Sequence, residues 1–242
     1  MASDPHKLTS KKIWVPLENN PDVMTRLAHR LGLSPELSFH EPYSLTEPEL
    51  MALVPRPVFA LLFLYPEDAL ESRNDSPFEY SGSGPDEPVL WFRQTIGHTC
   101  GFMGLMHCVL NLPAADYIQP GSFFDRLRND AIPLKPAERA DLIYNSEELE
   151  EIYKQAAQTG DSRVPGTNEP VDYAFAAFVK GKDNHLYQME GWKKGPIDRG
   201  ALPEEDDLFS TKALELGPLQ IINLAKASEG RFSCIALTHS KV

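Results

Sequence analysis

The residues best suited to chemistry lie in one short segment, Gln94 to Gly101, which reads Gln-Thr-Ile-Gly-His-Thr-Cys-Gly. The stretch from Thr99 to Asn111 is apolar almost all round and is therefore predicted to be a buried helix. A cysteine in the first turn of such a helix faces the positive end of the helix dipole and several free backbone N–H groups, and both favour the thiolate. Cys100 is therefore a candidate nucleophile.

Gln94 precedes Cys100 by six residues. Its side-chain amide could donate a hydrogen bond to the oxyanion that forms when a thiolate attacks a carbonyl carbon, with the backbone N–H of Cys100 as the second donor. A second interpretation is that Cys100 is only a packing residue, as is common for a buried cysteine at the start of a core helix. The spacing alone leaves both interpretations open.

Composition and charge narrow the class of protein. Hydrophobic residues make up 42% of the 242 residues, and the net charge is -12, with 35 acidic and 23 basic residues. The sequence contains no Lys/Arg cluster of the kind that nucleic-acid binders carry and no apolar run near the ~20 residues that span a bilayer. The chain has three cysteines, a small and uneven number that does not suit a disulfide framework. With a polar first dozen residues, the sequence predicts a cytoplasmic protein, and the nucleus remains open as a second location.

The elements that position this segment alternate between helices and strands. We predict strands at Trp14–Leu17, Pro57–Tyr65 and Phe232–Leu237, a hairpin of Val171–Lys180 and His185–Met189, and helices from Pro21 to Leu31, Phe123 to Arg128, Pro136 to Ile143, Ser146 to Gln158 and near Leu219–Lys226. This order predicts one α+β domain with helices packed on a largely antiparallel sheet.

The connections have composition signals of their own. Asn145 is a possible N-cap of the helix that follows it, with Glu148 three residues on. Glu67 to Pro88 is polar and is predicted to be a mobile surface loop. Thr159 to Pro170 lacks periodicity and is rich in turn formers, so it is predicted to be a second loop.

Several segments resemble the motifs of the ubiquitin C-terminal hydrolases, a family of papain-like cysteine proteases. The resemblance covers the chain from about residue 13 to residue 238, and its motifs occur in the family's order. They are the Gln-x5-Cys-Gly of Gln94–Gly101, Trp14-Val-Pro-Leu-Glu-Asn-Asn-Pro21, Val54-Pro-Arg-Pro57, Pro136-Ala-Glu-Arg139, and Val171-Asp-Tyr-Ala-Phe175 followed by His185-Leu-Tyr-Gln-Met-Glu-Gly191.

The resemblance implies a fold and an activity. The fold would be a single domain over residues 13–242, after a disordered segment 1–12, with about six strands and a knotted backbone. The activity would be thiol-dependent hydrolysis of small or flexible adducts on the C-terminal glycine of ubiquitin or a ubiquitin-like protein. No cofactor or metal is implied, and we expect a monomer that binds neither nucleic acid nor membrane. The ubiquitin groove would include Pro16, Leu17 and Glu18.

The resemblance also assigns roles to site residues, and at one position the chain departs from the family in chemical type. Gln94 would be the oxyanion donor, Cys100 the nucleophile and Glu190, where the family has an aspartate, the acid that orients the base. The family's base histidine falls on Ala174. A methyl group cannot accept a proton, so this form is predicted to be nearly inactive. A natural loss of activity and a deliberate substitution would both leave this pattern.

No other histidine is predicted to replace the missing base. His107 lies seven residues after Cys100, roughly 10 Å along the helix by the rise per residue, and His98 is too close in sequence to Cys100 to face it easily. His185 is predicted to be a packing or surface residue at the hairpin. A three-residue hairpin loop, Gly181–Asp183, would place residue 174 opposite Glu190.

Three functions therefore remain as hypotheses. The first is a ubiquitin hydrolase that is disabled in this form. The second is a non-catalytic pseudoenzyme that binds ubiquitin. The third is a thiol acyl hydrolase that acts on another small substrate.

Overall fold

The computed structural model describes residues 12–67, 79–160, 173–225 and 231–241. A six-stranded sheet lies at the centre, in the order β1-β6-β2-β3-β4-β5, with every neighbouring pair antiparallel. The strands are β1 Leu37–His40, β2 Val58–Pro66, β3 Tyr173–Lys180, β4 His185–Met189, β5 Ile197–Ala201 and β6 Ser233–His239.

Helices pack around this sheet. They are α1 Pro21–Leu31, α2 Pro48–Met51, α3 Cys100–Leu110, α4 Phe123–Ala131, α5 Pro136–Tyr144, α6 Glu147–Ala156, α7 Thr211–Leu216 and α8 Pro218–Leu224. All residues of α3 are buried, as its apolar sequence predicts. Gly104 lets α3 approach the sheet closely, because a Cβ at this position would lie 2.4 Å from the Leu62 side chain on β2. The nucleophile helix is thus fixed against the central strands.

The predicted α+β class and antiparallel six-stranded sheet are confirmed. Helix α1 has the predicted ends: the Asn20 side chain accepts hydrogen bonds from the N–H groups of Asp22 and Val23, and Gly32 closes the helix in a left-handed conformation at φ 118°. Strand β2 matches the predicted apolar run, and β4 has the predicted limits.

Some local predictions were wrong. Trp14–Leu17 is not a strand, because this segment contributes only a bridge between Ile13 and Gly97. The cap of α6 is Ser146 and not Asn145, since the Ser146 hydroxyl accepts from the Leu149 N–H. Strands β1 and β5 and helices α2 and α7 were not predicted, because their sequences are short and carry weak periodicity.

Parts of the two segments predicted to be disordered or mobile lie outside the described residues. Residues 1–11, 68–78 and 161–172 lie outside the described residues, so most of the loop Thr159–Pro170 lies there too. Lys12 belongs to the fold, because its Nζ donates to the Tyr144 carbonyl at 2.9 Å. Glu87 in the predicted mobile loop is buried and paired with Arg139. The knot and the single-domain boundary remain predictions.

Across the described ranges, no helix is both long and apolar enough to cross a membrane.

Candidate active site

Cys100 is the first residue of α3, as predicted, and its thiol is buried. Backbone N–H groups of Gly101, Phe175 and Cys100 itself interact with the sulfur and lower the pKa of the thiol, as expected at a helix N-terminus. Burial has the larger effect and raises the pKa of Cys100 to about 11, and the nearby Glu190 carboxylate acts in the same direction. The thiol is therefore placed for attack but is protonated at neutral pH.

Gln94 lies in the turn that leads into α3, where it is buried. Its Nε2 donates to the Ile96 carbonyl at 3.1 Å, and the Thr99 hydroxyl donates to the same carbonyl at 2.8 Å. Its Oε1 is buried without a hydrogen-bond partner. The amide is thus held by a hydrogen bond to the turn that leads into α3.

The Gln94 turn is attached directly to the segment that carries Glu190. The Gln94 N–H donates to the Gly191 carbonyl at 2.8 Å, and the Trp91 indole N–H donates to the Glu190 carbonyl at 3.1 Å. Residue 191 has to be glycine for this contact, because a Cβ there would lie 2.9 Å from the Gln94 Cβ. The fold therefore brings Gln94 next to the Glu190 segment, and Glu190 lies near enough to Cys100 for its charge to act on the thiol.

Ala174 lies on β3, fully buried and directly opposite Tyr65 of β2. It precedes Phe175, whose N–H interacts with the Cys100 sulfur. Residue 174 is thus one residue along β3 from a backbone group that contacts the nucleophile. Its methyl group offers no proton acceptor.

The predicted hairpin register was wrong. Lys180 pairs with Leu186 and not with Asn184, and Ala177 pairs with Met189 at the end of β4. If this register is extended by one residue, residue 176 and not residue 174 stands against Glu190. The three-residue loop is displaced by one residue from the predicted position, to 182–184, because the Gly181 N–H bonds to the His185 carbonyl at 2.8 Å. Asn184, the last residue of this loop, adopts a left-handed conformation at φ 61°. Residues 174 and 190 are consequently diagonal neighbours.

Glu190 is completely buried and has two side-chain donors. The Tyr65 hydroxyl donates to its Oε2 at 2.6 Å, and the Gln188 side-chain amide donates to its Oε1. Burial raises the pKa of Glu190, and the Tyr65 bond, the charge of Lys193 and the Gln188 bond oppose that shift. The acid is therefore already hydrogen-bonded without a histidine.

The segment with Pro16, Leu17 and Glu18 runs beside the nucleophile turn. The Trp14 N–H donates to the Gly97 carbonyl at 3.1 Å, which joins the segment to that turn. A Cβ on Gly101 would lie 3.4 Å from the Leu17 Cβ, so Leu17 packs next to the residue that follows Cys100. Pro16 and Glu18 are half-buried.

The remaining histidines near the motifs lie in other environments. His107 Nε2 accepts from the Phe92 N–H at 3.0 Å, and burial lowers the pKa of this imidazole to about 3. His185 is half-exposed and its Nδ1 lies 2.9 Å from the Asp198 carboxylate. His98 is half-exposed. Within the part of the chain that the structure describes, the groups that shift the pKa of Cys100 include no histidine.

Sequence reasoning missed Tyr65 as a part of this site. Tyr65 is the last aromatic residue of an apolar run, and a buried tyrosine hydroxyl needs a polar partner, which was the available signal. Its partner Glu190 could not be identified before the strand pairing was known.

Comparisons with known proteins agree with this geometry. Residues 14–216 match the family model described as ubiquitin carboxyl-terminal hydrolase, family 1. The chain is 36% identical over 198 residues to ubiquitin carboxyl-terminal hydrolase 3 of Arabidopsis thaliana, covering 80% of this chain and 82% of that protein. It is 33% identical over 209 residues to a ubiquitin carboxyl-terminal hydrolase of Aplysia californica, covering 86% and 95% of the two chains.

A solved structure has the same fold. The catalytic domain of Trichinella spiralis UCH37, crystallised with ubiquitin vinyl methyl ester, superposes with a TM-score of 0.73 at 19% identity, covering 98% of this chain and 100% of that chain. The fold and the family model place the chain among the cysteine hydrolases. The chain belongs to the ubiquitin carboxyl-terminal hydrolase family, which supports a thiol-dependent deubiquitinase as its class of activity.

Proposed function

We propose that this chain is a ubiquitin-tail hydrolase for small or flexible adducts, nearly inactive in this form because Ala174 occupies the position of the base. It retains binding of ubiquitin or a ubiquitin-like protein as a monomer. The observation that carries the proposal is the buried Cys100 at the start of α3, tied through Gln94 and Gly191 to the acid Glu190, with a methyl group where proton transfer is needed.

The reaction would follow the order of a thiol protease. The Cys100 sulfur attacks the carbonyl carbon of the terminal glycine, and the oxyanion is stabilised by the Gln94 amide and the Cys100 N–H. The C–N bond then breaks, the amine leaves with a proton, and water hydrolyses the thioester. A base takes the thiol proton in the first step and returns it to the amine in the second. Ala174 can do neither, so both steps are slow.

Binding uses a different set of groups. We assign the groove to Pro16, Leu17 and Glu18, because this segment is fastened to the nucleophile turn and Leu17 packs against Gly101. The Glu18 carboxylate and the net charge of -12 suit a basic tail and would mainly raise the association rate. Loss of the base leaves this surface unchanged.

Two measurements test the proposal. Calorimetry at low salt should detect ubiquitin binding by the chain and by Cys100→Ala. Glu18→Gln should bind ubiquitin more weakly, and with less dependence on salt, than the exposed control Glu49→Gln. A fluorogenic ubiquitin C-terminal amide should be turned over little faster by the chain than by Cys100→Ala. Absence of binding, or full turnover with a neutral pH plateau, would refute the proposal.

A second candidate is a non-catalytic ubiquitin-binding pseudoenzyme. The Tyr65–Glu190 hydrogen bond favours it, because the acid is satisfied without an imidazole. The two candidates differ in their response to Ala174→His. A disabled hydrolase regains turnover once residue 174 is a histidine and Glu190 can orient it, whereas a pseudoenzyme that has lost more than its base does not.

A further inference from the structure

Tyr65 is placed where it controls the acid of the site. It lies near the end of β2, fully buried, and its hydroxyl donates to Glu190 Oε2 at 2.6 Å. Its ring stacks on Phe63 at a centroid distance of 6.3 Å and an interplanar angle of 17°. The ring is thus held by stacking along its own strand and by one hydrogen bond at its tip.

This hydrogen bond spans two strand spacings. Strand β3 lies between β2 and β4, and Glu190 directly follows β4. Since neighbouring strands are roughly 4.8 Å apart, the Tyr65 side chain has to cross β3 to reach Glu190. It crosses on the face that carries Ala174 and Ala176, which pack in one cluster with Tyr65.

Both residues beneath this crossing are alanines with no exposed surface. Ala174 is directly opposite Tyr65, where side chains on paired strands are only about 5 Å apart at Cβ. An imidazole at residue 174 would need the space that the ring covers and the carboxylate that the hydroxyl binds. The hydrogen bond to Glu190 holds the ring in that position.

Tyr65 does not itself serve as a base. Burial raises the pKa of Tyr65 well above its usual value, and the Glu190 charge raises it further. The hydroxyl therefore stays protonated and acts as a donor. It satisfies the buried carboxylate and leaves the Cys100 thiol without a proton acceptor.

We propose that Tyr65 is a positioning residue that takes the hydrogen-bonding place of an imidazole on Glu190, so that a histidine at 174 cannot be oriented while the Tyr65 hydroxyl is present. The inference rests on the proposed function for the identity of the site. It predicts that Ala174→His alone leaves Cys100 unactivated, and that Ala174→His with Tyr65→Phe activates it. Phenylalanine keeps the stacking ring but removes the bond that holds it over β3.

The test measures alkylation of Cys100 by iodoacetamide against pH, with the modified residue located by mass spectrometry. This readout needs no ubiquitin, so its outcome is independent of ubiquitin binding. The chain, Tyr65→Phe and Ala174→His should all show a rate that keeps rising above pH 9. The double variant should show a plateau near neutral pH and a rate at pH 7 at least 100-fold above that of Ala174→His.

Turnover of a fluorogenic ubiquitin amide provides the second readout. The double variant should exceed Ala174→His at least 100-fold in kcat and gain an acidic limb in its pH profile, because orienting a base affects kcat more than KM. If the double variant does not melt cooperatively, Ala174→His with Tyr65→Leu takes its place. Similar thiol profiles for the single and double variants, whether both are activated or neither is, overturn the inference. Failure of ubiquitin binding with an activated thiol would refute only the proposed function.

Discussion

The buried thiol gives the sharpest quantitative test of the site. The pKa of Cys100 is raised from 9.0 to about 11 by burial. A shift of two units lowers the thiolate fraction at pH 7 about 100-fold, from roughly one in 100 to roughly one in 10,000. The second-order rate of alkylation by iodoacetamide should therefore rise about tenfold per pH unit between pH 6 and 9.5, without a plateau.

The measurement compares the folded chain with the same chain in denaturant at each pH. Cys100 in the denatured chain should level off near the ordinary thiol pKa, which separates the effect of burial from the reagent's own pH dependence. Cys234 serves as an internal control, since burial raises its pKa to about 12. A plateau below pH 8 for folded Cys100 would show that the helix dipole and backbone N–H groups outweigh burial, and would refute this reasoning.

Two further predictions concern stability. The pKa of His107 is lowered from 6.5 to about 3 by burial, so the unfolded state binds the extra proton between these values. The free energy of unfolding that this group contributes is present above pH 6.5 and is lost as pH falls toward 3, by up to about 5 kcal/mol. The variant His107→Gln should therefore show a smaller fall in Tm across that range than the half-exposed control His185→Gln. Equal slopes for the two variants would contradict this prediction. Arg139 is fully buried and donates to Glu87 and to the Ala131 carbonyl at 2.8 Å. Arg139→Met should lower the free energy of unfolding, measured in urea, by about 3–5 kcal/mol. The control Arg126→Met, in the exposed pair with Glu148, should lower it by at most about 1 kcal/mol. Comparable losses in the two variants would show that the buried pair contributes little.

The sequence could predict those features that depend on local pattern. The apolar helix that begins at Cys100, the buried strand β2 and the capped helix α1 each carry a full set of local signals, and each forms. Motif order then predicted that Gln94, Cys100 and Glu190 come together. The contact of Gln94 with Gly191 supplies the physical means.

Features that depend on tertiary context could not be predicted in this way. The helix dipole at Cys100 is a local property, and it predicts a thiolate. Desolvation depends on all the groups packed around the sulfur, and it raises the pKa of the Cys100 thiol. The hairpin register depended on the turn, which is displaced by one residue and contains Asn184 in a left-handed conformation. That shift decided which residue lies opposite Glu190, and with it the role of Tyr65.

The hydrogen bonds to the buried Glu190 carboxylate stabilise the site without a histidine. Removing the partner of a buried charge is costly, because the charge is then neither solvated nor hydrogen-bonded. Glu190 avoids this cost, since Tyr65 and Gln188 donate to its two oxygens and Arg199 donates to Gln188 Oε1 at 2.9 Å. The same bonds that stabilise Glu190 also occupy it. Stability of the site and orientation of a base therefore compete for one carboxylate, and in this chain the Tyr65 hydroxyl holds it.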